Sequence, residues 1–246
     1  MTTKQFVLLF LAAAMFACTS TQTEQESKED NVEEIYTDIQ IAGAMKDVMW
    51  KGELAGVIEL DSIQNKSGLY GLGPESFLTG ELLVNNGQAY VSRVLTDSTM
   101  EVVKTFDVSA PFFVYGNVRE WEETNLPGAI KSAKDLEVFI DEHSKELKRP
   151  FAFKLIGSVS AATIHIQNLP AGTKVSSPDE AHQGQTPYAI QNENVTIVGF
   201  FSTEHQGVFT HHDSWMHMHL ITENEDKMGH LDEVEFDQMV LYLPKK

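Results

Sequence analysis

Apolar residues recur at helical spacing through Ile35, Ile39, Ala42, Met45, Val48 and Met49, which predicts a helix over residues 35–51. Glycines at 68, 71 and 73 then interrupt the pattern as turns. Glu81-Leu82-Leu83-Val84, the turn Asn85-Asn86-Gly87 and the run Gln88–Val94 read as a β-hairpin. Phe112–Tyr115 predicts a further strand. Helical spacing returns over Ser132–Leu147, with Leu136, Phe139 and Ile140 on one face. Ser132 suits the N-cap, and Asp135 and Glu137 give the acidic first turn that a helix N-terminus favours. Strand-like runs follow at Phe151–Ile156, Thr163–Gln167, Val195–Phe201, Met216–Thr222 and Phe236–Leu243. Between them Ala171–Asn192 reads as a long polar loop, a feature often functional in a compact domain. The pattern predicts an α+β fold of mainly antiparallel or mixed β-sheet with a few helices, and no internal repeat.

The first residues follow a different logic. Lys4 precedes an apolar run of eleven residues, Phe6–Phe16, too short to span a bilayer. The run ends in Met15-Phe16-Ala17-Cys18, and Cys18 is the single cysteine of the 246-residue chain, so no internal disulfide can form. That ending resembles the lipobox of bacterial lipoproteins and implies lipidation of Cys18 with cleavage before it. The polar stretch after Cys18 lacks periodicity and reads as a tether. The expected organisation is a signal peptide over 1–17, a disordered tether over 18–34 and one domain over 35–246. The expected location is the bacterial cell envelope, lipid-anchored, on a periplasmic or extracellular face.

Composition narrows the partners. Hydrophobic residues make up 42% and charged residues 22%, an ordinary globular profile, but the formal net charge is -18. A polyanion would be repelled, which argues against nucleic acid and against an anionic membrane surface. Membrane contact is expected only through the lipid, and the partner expected is a small-molecule substrate.

The candidate chemistry lies in histidines. His217 and His219 are two apart on a predicted strand and project from one face, while Met216, Met218 and Leu220 point to the other. Glu223–Gly229 reads as the connection of a hairpin ending at His230. A hairpin symmetric about Asn224–Glu225 places His219 opposite His230 and His217 opposite Asp232, a carboxylate suited to orienting a ligand. A slip of one residue would turn His230 to the wrong face. Three imidazoles with an open fourth position are the ligand set of a catalytic zinc site, although imidazole also suits copper, iron and nickel. His211 and His212 read equally as a substrate-facing pair or as a solvated loop. His217, His219 and Glu223 also resemble the first cupin motif, but the step to Gly229 is one residue short and the second motif is missing.

Three segments together resemble the α-acetolactate decarboxylase family over about Ile35–Leu243. These are Gly71-Leu72-Gly73-Pro74-Glu75-Ser76-Phe77-Leu78-Thr79-Gly80-Glu81, then Val198–Glu204, then Met216–Glu223 with Gly229-His230. The resemblance implies that family's fold, zinc held by His217, His219 and His230, a catalytic carboxylate at Glu81, and possible assembly as a homodimer. It implies decarboxylation of 2-acetolactate to acetoin, with the substrate's hydroxyl and ketone oxygens chelating a Lewis-acidic zinc. Outside the motif, a glutamate opening a hairpin strand is ordinarily solvent-facing.

The departures from the family pattern are specific. The family's threonine is Pro74. Its arginine falls at Gln167, which carries no charge, with His165 as the alternative occupant of that place. A further catalytic glutamate, which the family carries in a C-terminal tail, has no counterpart in this sequence; Glu75, His211, His212 and Asp213 are the candidate substitutes. Two other readings therefore stand beside the decarboxylase: a lyase or isomerase for another chelating hydroxyketone, and a non-catalytic metal-binding lipoprotein whose histidines include His205.

Overall fold

The computed structural model describes residues 38–245. The apolar run, Cys18 and the tether lie outside the described residues. Among the described residues, no helix is long and apolar enough to cross a membrane.

The predicted helix over 35–51 is divided in two. Gln40–Gly43 form strand β1, and only Met45–Lys51 are helical, as α1. Gly43 turns the chain with φ at 66°, and Ala44 is extended, so a continuous helix is broken there. The amides of Met45 and Lys46 donate to the Val208 and Gly207 carbonyls, at 2.7 and 2.9 Å. Gly52 ends the helix in the left-handed conformation that closes many helices. Tertiary pairing overrides helical spacing in the half that becomes β1.

The chain then builds a sheet of hairpins. Ile58–Glu59 form β2, Leu69–Pro74 β3, Glu81–Asn85 β4, Gln88–Thr96 β5, Thr99–Lys104 β6, Ser109–Ala110 β7 and Phe112–Asn117 β8. The order is β1-β8-β3-β4-β5-β6, every neighbour antiparallel, while β2 and β7 form a separate ribbon. The β4–β5 turn matches its prediction. Asn86 and Gly87 both adopt positive φ, as the two central residues of a tight hairpin turn require.

A second sheet follows: β9 (Trp121–Asn125), α2 (Ala133–His143), β10 (Phe151–Ile166), α3 (Pro178–Ala181), β11 (Thr186–Phe201), β12 (Met216–Thr222) and β13 (Met228–Pro244). Ser132 caps α2 in a capping box with Asp135. The two strands expected at 151–156 and 163–167 are one long strand, and the loop expected over 171–192 contains α3 and the start of β11. The sheet order is β10-β11-β12-β13-β9, with β13 also pairing β10, so the sheet curls closed. Register shifts between β10 and β13 supply the bend.

One apolar layer lies between the sheets. Tyr70, Leu72, Leu83, Tyr90 and Val114 come from the first sheet, and Ala152, Val198, Phe200, Ile221 and Met228 from the second. A separate small cluster joins α1 and α3 through Met45, Val48, Met49, Leu169, Val175 and Ala181, with Leu78 and Phe112 beneath. The candidate residues gather where these two clusters meet.

Candidate metal centre

The closing of the second sheet sets the centre. His230 on β13 lies directly opposite His219 on β12 and directly opposite His165 on β10. Residues opposed on neighbouring strands share a face. His217, two positions from His219, shares it too. Val198 and Phe200 oppose His219 and His217 and belong to the layer between the sheets, so the histidine row faces the first sheet. Met216, Met218 and Leu220 point the other way into the core beneath α2, as their alternation predicts.

The expected pairing of His217 with Asp232 does not form. β12 and β13 pair only from His219↔His230 to Ile221↔Met228, after which β13 leaves to pair with β10. Asp232 instead accepts a hydrogen bond at 2.7 Å from Nδ1 of His165, whose ring stacks on His230 with centroids 4.6 Å apart. Glu223 sits in the turn, exposed, and accepts from Asn194 Nδ2 at 3.0 Å. That position removes it from any ligand set and with it the cupin-like arrangement.

Nitrogen atoms of His217, His219 and His230 lie within 4.8 Å of one another, the spacing a shared ion requires. His217 Nε2 is 3.0 Å from His230 Nδ1. Two ligands at 2.0–2.1 Å on a tetrahedral ion stand about 3.3 Å apart. Both ring nitrogens of His219 and Nδ1 of His217 are buried without a hydrogen-bond partner. The Leu82 and Phe209 carbonyls favour the protonated rings slightly, yet stop short of hydrogen-bond geometry with them. Burial, reinforced by the crowding of histidines, pushes His217 and His230 well below the ordinary imidazole range and His219 down to about 3. The rings are therefore neutral, the form that ligates metal. Orphaned nitrogens, ligand-like spacing and neutral rings all fit a divalent ion. A second group that could hold an ion, His165, His230 and Asp232, shares one histidine with the first.

Glu81 reaches this row from the other sheet. It opens β4 and is 3% exposed, contrary to the solvent-facing place such a residue ordinarily takes. Its Oε2 is 3.6 Å from His219 Nε2, its Oε1 is 4.0 Å from His165 Nε2, and Oε1 accepts the Gln167 backbone N–H at 3.3 Å. Burial pushes the carboxyl well above its usual range. The Gln167 N–H draws it back, and the Asp232 and Glu75 carboxylates raise it further.

Glu81, His165, His217 and His230 line a cavity of about 30 Å³, together with Met45, Met49, Pro74, Leu78, Phe112 and three residues from loops: Gln167, His182 and His211. Gln167 is buried with its side-chain oxygen unpartnered. His211 faces the cavity and His212 is exposed, which separates the two readings of that pair. Burial pushes His211 and His182 below their ordinary range. Asp213 is exposed, and Glu75 is held by a two-pronged ion pair with Arg93. His182 follows α3 and escaped sequence reasoning, because its segment read as loop. The one local signal was Ser177-Pro178, a capping serine before a proline at the first helical position.

The chain resembles known proteins over most of its length. The family profile described as Alpha-acetolactate decarboxylase matches residues 42–245. An alpha-acetolactate decarboxylase of Methanosarcina mazei is 26% identical over 227 residues, covering 87% of this chain and 75% of that protein. The enzyme of Brevibacillus brevis is 24% identical over 189 residues, covering 76% of this chain and 62% of that protein. The crystal structure of alpha-acetolactate decarboxylase from Bacillus subtilis strain 168 superposes with a TM-score of 0.70 at 22% identity, over 85% of this chain and 86% of that one. A Staphylococcus aureus protein of unknown function, described as similar to that enzyme, gives 0.70 at 20% identity, over 83% and 84%. The two structures establish the shared fold, and the profile, spanning most of the chain, places the protein in the alpha-acetolactate decarboxylase family.

Proposed function

We propose that the protein is a zinc-dependent decarboxylase that converts 2-acetolactate to acetoin and carbon dioxide, with His217, His219 and His230 as the metal ligands and Glu81, Gln167 and His211 around the substrate. One observation carries this reading: a row of three neutral imidazoles faces a buried carboxyl group across the two sheets. Bound there, a divalent ion would supply Lewis acidity, drawing electrons toward the substrate's ketone oxygen as carbon dioxide leaves. Loss of carbon dioxide leaves a carbon that must gain one proton. Glu81, whose burial favours its protonated form, is placed to deliver that proton. Its hydrogen bond from the Gln167 amide fixes the carboxyl while the other oxygen faces the ligand row. Met45 and Met49 line the tight cavity with flexible side chains that can shift to admit a substrate.

Purified protein loaded with zinc and given racemic acetolactate should form acetoin faster than the spontaneous reaction. Acetoin no faster than in protein-free buffer, at high enzyme concentration, would overturn the reading.

A second reading keeps the metal and changes the substrate to a neutral chelating hydroxyketone. Its support is that, among the described residues, neither arginine nor lysine lines the cavity. Gln167→Arg separates the two. A large gain on acetolactate favours the carboxylate-bearing substrate, and no gain with turnover of a neutral hydroxyketone favours the second reading. On the same footing we propose that the protein works at the bacterial cell envelope, anchored through lipid on Cys18. Mass spectrometry of the mature N-terminus should find a diacylglyceryl cysteine, and an unmodified or differently cleaved terminus would refute it.

A further inference from the structure

Glu137 is a carboxylate with no role in the centre described above. It lies on α2, 3% exposed. A buried carboxylate costs several kcal/mol unless its oxygens are well hydrogen-bonded. Here both are. Oε2 accepts from the Trp215 backbone N–H at 2.7 Å and from Ser214 Oγ at 3.0 Å, and Oε1 accepts from Lys134 Nζ at 2.6 Å. Ser214 Oγ accepts in turn from the Met216 N–H at 3.0 Å.

The clamp acts on the segment that leads into β12 and reaches that strand's first residue, Met216, through Ser214 Oγ. That strand is also paired with β11, Phe201↔Met216 and Phe200↔His217, which holds His217 to the sheet. What the clamp places is His211. Its ring lines the metal cavity, 5.7 Å between centroids from His230, and neither ring nitrogen is hydrogen-bonded among the described residues. The His211 carbonyl accepts two long bonds, from the Ser214 N–H and from Thr210 Oγ1, each at 3.4 Å. On its other side the segment borders an outer cleft of about 370 Å³, which also reaches His230 and Asp232. The His211 ring thus stands at the boundary between cleft and cavity, held there from α2.

We propose that Glu137 is a positioning residue: by clamping Ser214 and Trp215 to α2 it holds His211 over the metal cavity, where His211 contacts the bound substrate. The proposal rests on the reading of the histidine row as a metal-dependent active site. Nothing in it requires Glu137 to touch substrate or metal.

A double-mutant cycle tests it. Glu137→Ala and His211→Ala should each lower kcat/KM on acetolactate by about 10- to 100-fold, as losses of supporting groups do. The double variant should fall no more than about twofold further, because both remove the same contact. Glu137→Gln, whose amide oxygen still accepts the Trp215 N–H, should recover most of the activity. All four variants should bind one zinc per chain with the wild-type Kd. Two readouts need no turnover. In metal-loaded Glu137→Ala, hydrogen exchange at the Trp215 amide should quicken at least about tenfold, and diethyl pyrocarbonate should modify His211 faster, with Glu137→Gln restoring both. Additive losses in the cycle, or zinc affinity falling in step with activity, would show a general structural role and overturn the proposal. So would unchanged Trp215 exchange and His211 modification in Glu137→Ala. If the wild-type protein makes no acetoin, the substrate reading fails alone, and exchange and modification decide the clamp.

Discussion

Glu81 shows how one residue changes meaning between sequence and structure. A glutamate opening a hairpin strand is ordinarily solvated, and its motif alone marked it as chemical. In the fold it is enclosed between two sheets, and among the described residues neither lysine nor arginine lies within its hydrogen-bond reach. Replacing it by glutamine keeps the volume and the acceptor for the Gln167 amide but removes the transferable proton. The expected outcome for Glu81→Gln is a kcat loss of about 10²–10⁴-fold with the zinc content unchanged at one per chain, measured by acetoin formation and metal analysis. Loss of metal along with activity would instead make Glu81 a ligand. Single residues were legible here where spacing carried the chemistry, as in His217, His219 and His230. They were illegible where a distant segment supplied the neighbour. Asp232 was expected beside His217, yet serves His165, because β13 changes partners at His230. His182 stands beside Asp179 and Glu180 in a stretch without strand or helix periodicity, so nothing local tied it to the distant histidines.

At the scale of elements, the sheet's register does the work of a ligand cage. The hairpin symmetric about Asn224–Glu225 sets His219 against His230, as alternation and turn chemistry implied, because both constraints are local. The long strand β10, the division of the first helix and the packing of α3 against α1 were not legible, since each depends on pairing or packing with residues far along the chain. Gly229 shows the precision involved. A Cβ there would stand 2.5 Å from the His165 carbonyl oxygen, a backbone atom that cannot turn aside. Gly229→Ala must push β13 from β10 just where His230 joins the ligand row. We expect the zinc Kd to rise at least about tenfold, the usual lower range for disturbing a ligand's support, and the melting temperature to fall. An unchanged zinc Kd, measured by chelator competition, would show that the strands accommodate the methyl group elsewhere. The α2 cap offers a control outside the lining of the histidine cavity. Ser132→Ala should cost about 1 kcal/mol and lower the melting temperature by roughly 2–4 °C, with zinc affinity unaltered.

For the whole molecule, the site exists only because two sheets are held face to face, so whatever joins the sheets supports the chemistry. An ion held by the three histidines, all on the second sheet, would brace the face that meets the first. Zinc at about a thousand times its Kd should stabilise the fold by about 4 kcal/mol, or roughly 8–16 °C in melting temperature, a shift that chelation should abolish. A second tie is made of protein alone. Tyr90 on β5 donates its hydroxyl to Glu225, in the turn between β12 and β13, at 2.7 Å, and Lys104 on β6 pairs with the same carboxylate. Lys104 and the Tyr90 hydroxyl hold Glu225 below its usual range, while burial and the Glu225 carboxylate push Tyr90 up to about 12. The sign follows from which state ionises first. An unfolded tyrosine loses its proton near pH 10, whereas folded Tyr90 keeps it to about pH 12, so its contribution is complete below pH 10 and drains away between 10 and 12. Other tyrosines add to alkaline loss in the wild type, so the informative quantity is the difference from Tyr90→Phe. In denaturant unfolding from pH 9 to 12, that difference should be constant up to about pH 10 and then shrink as wild type loses its extra stability. A constant difference across the whole range would mean that the Tyr90–Glu225 bond does not persist in solution, leaving the apolar layer and the Tyr188 hydroxyl's bonds to the Thr96 and Thr99 carbonyls to join the sheets.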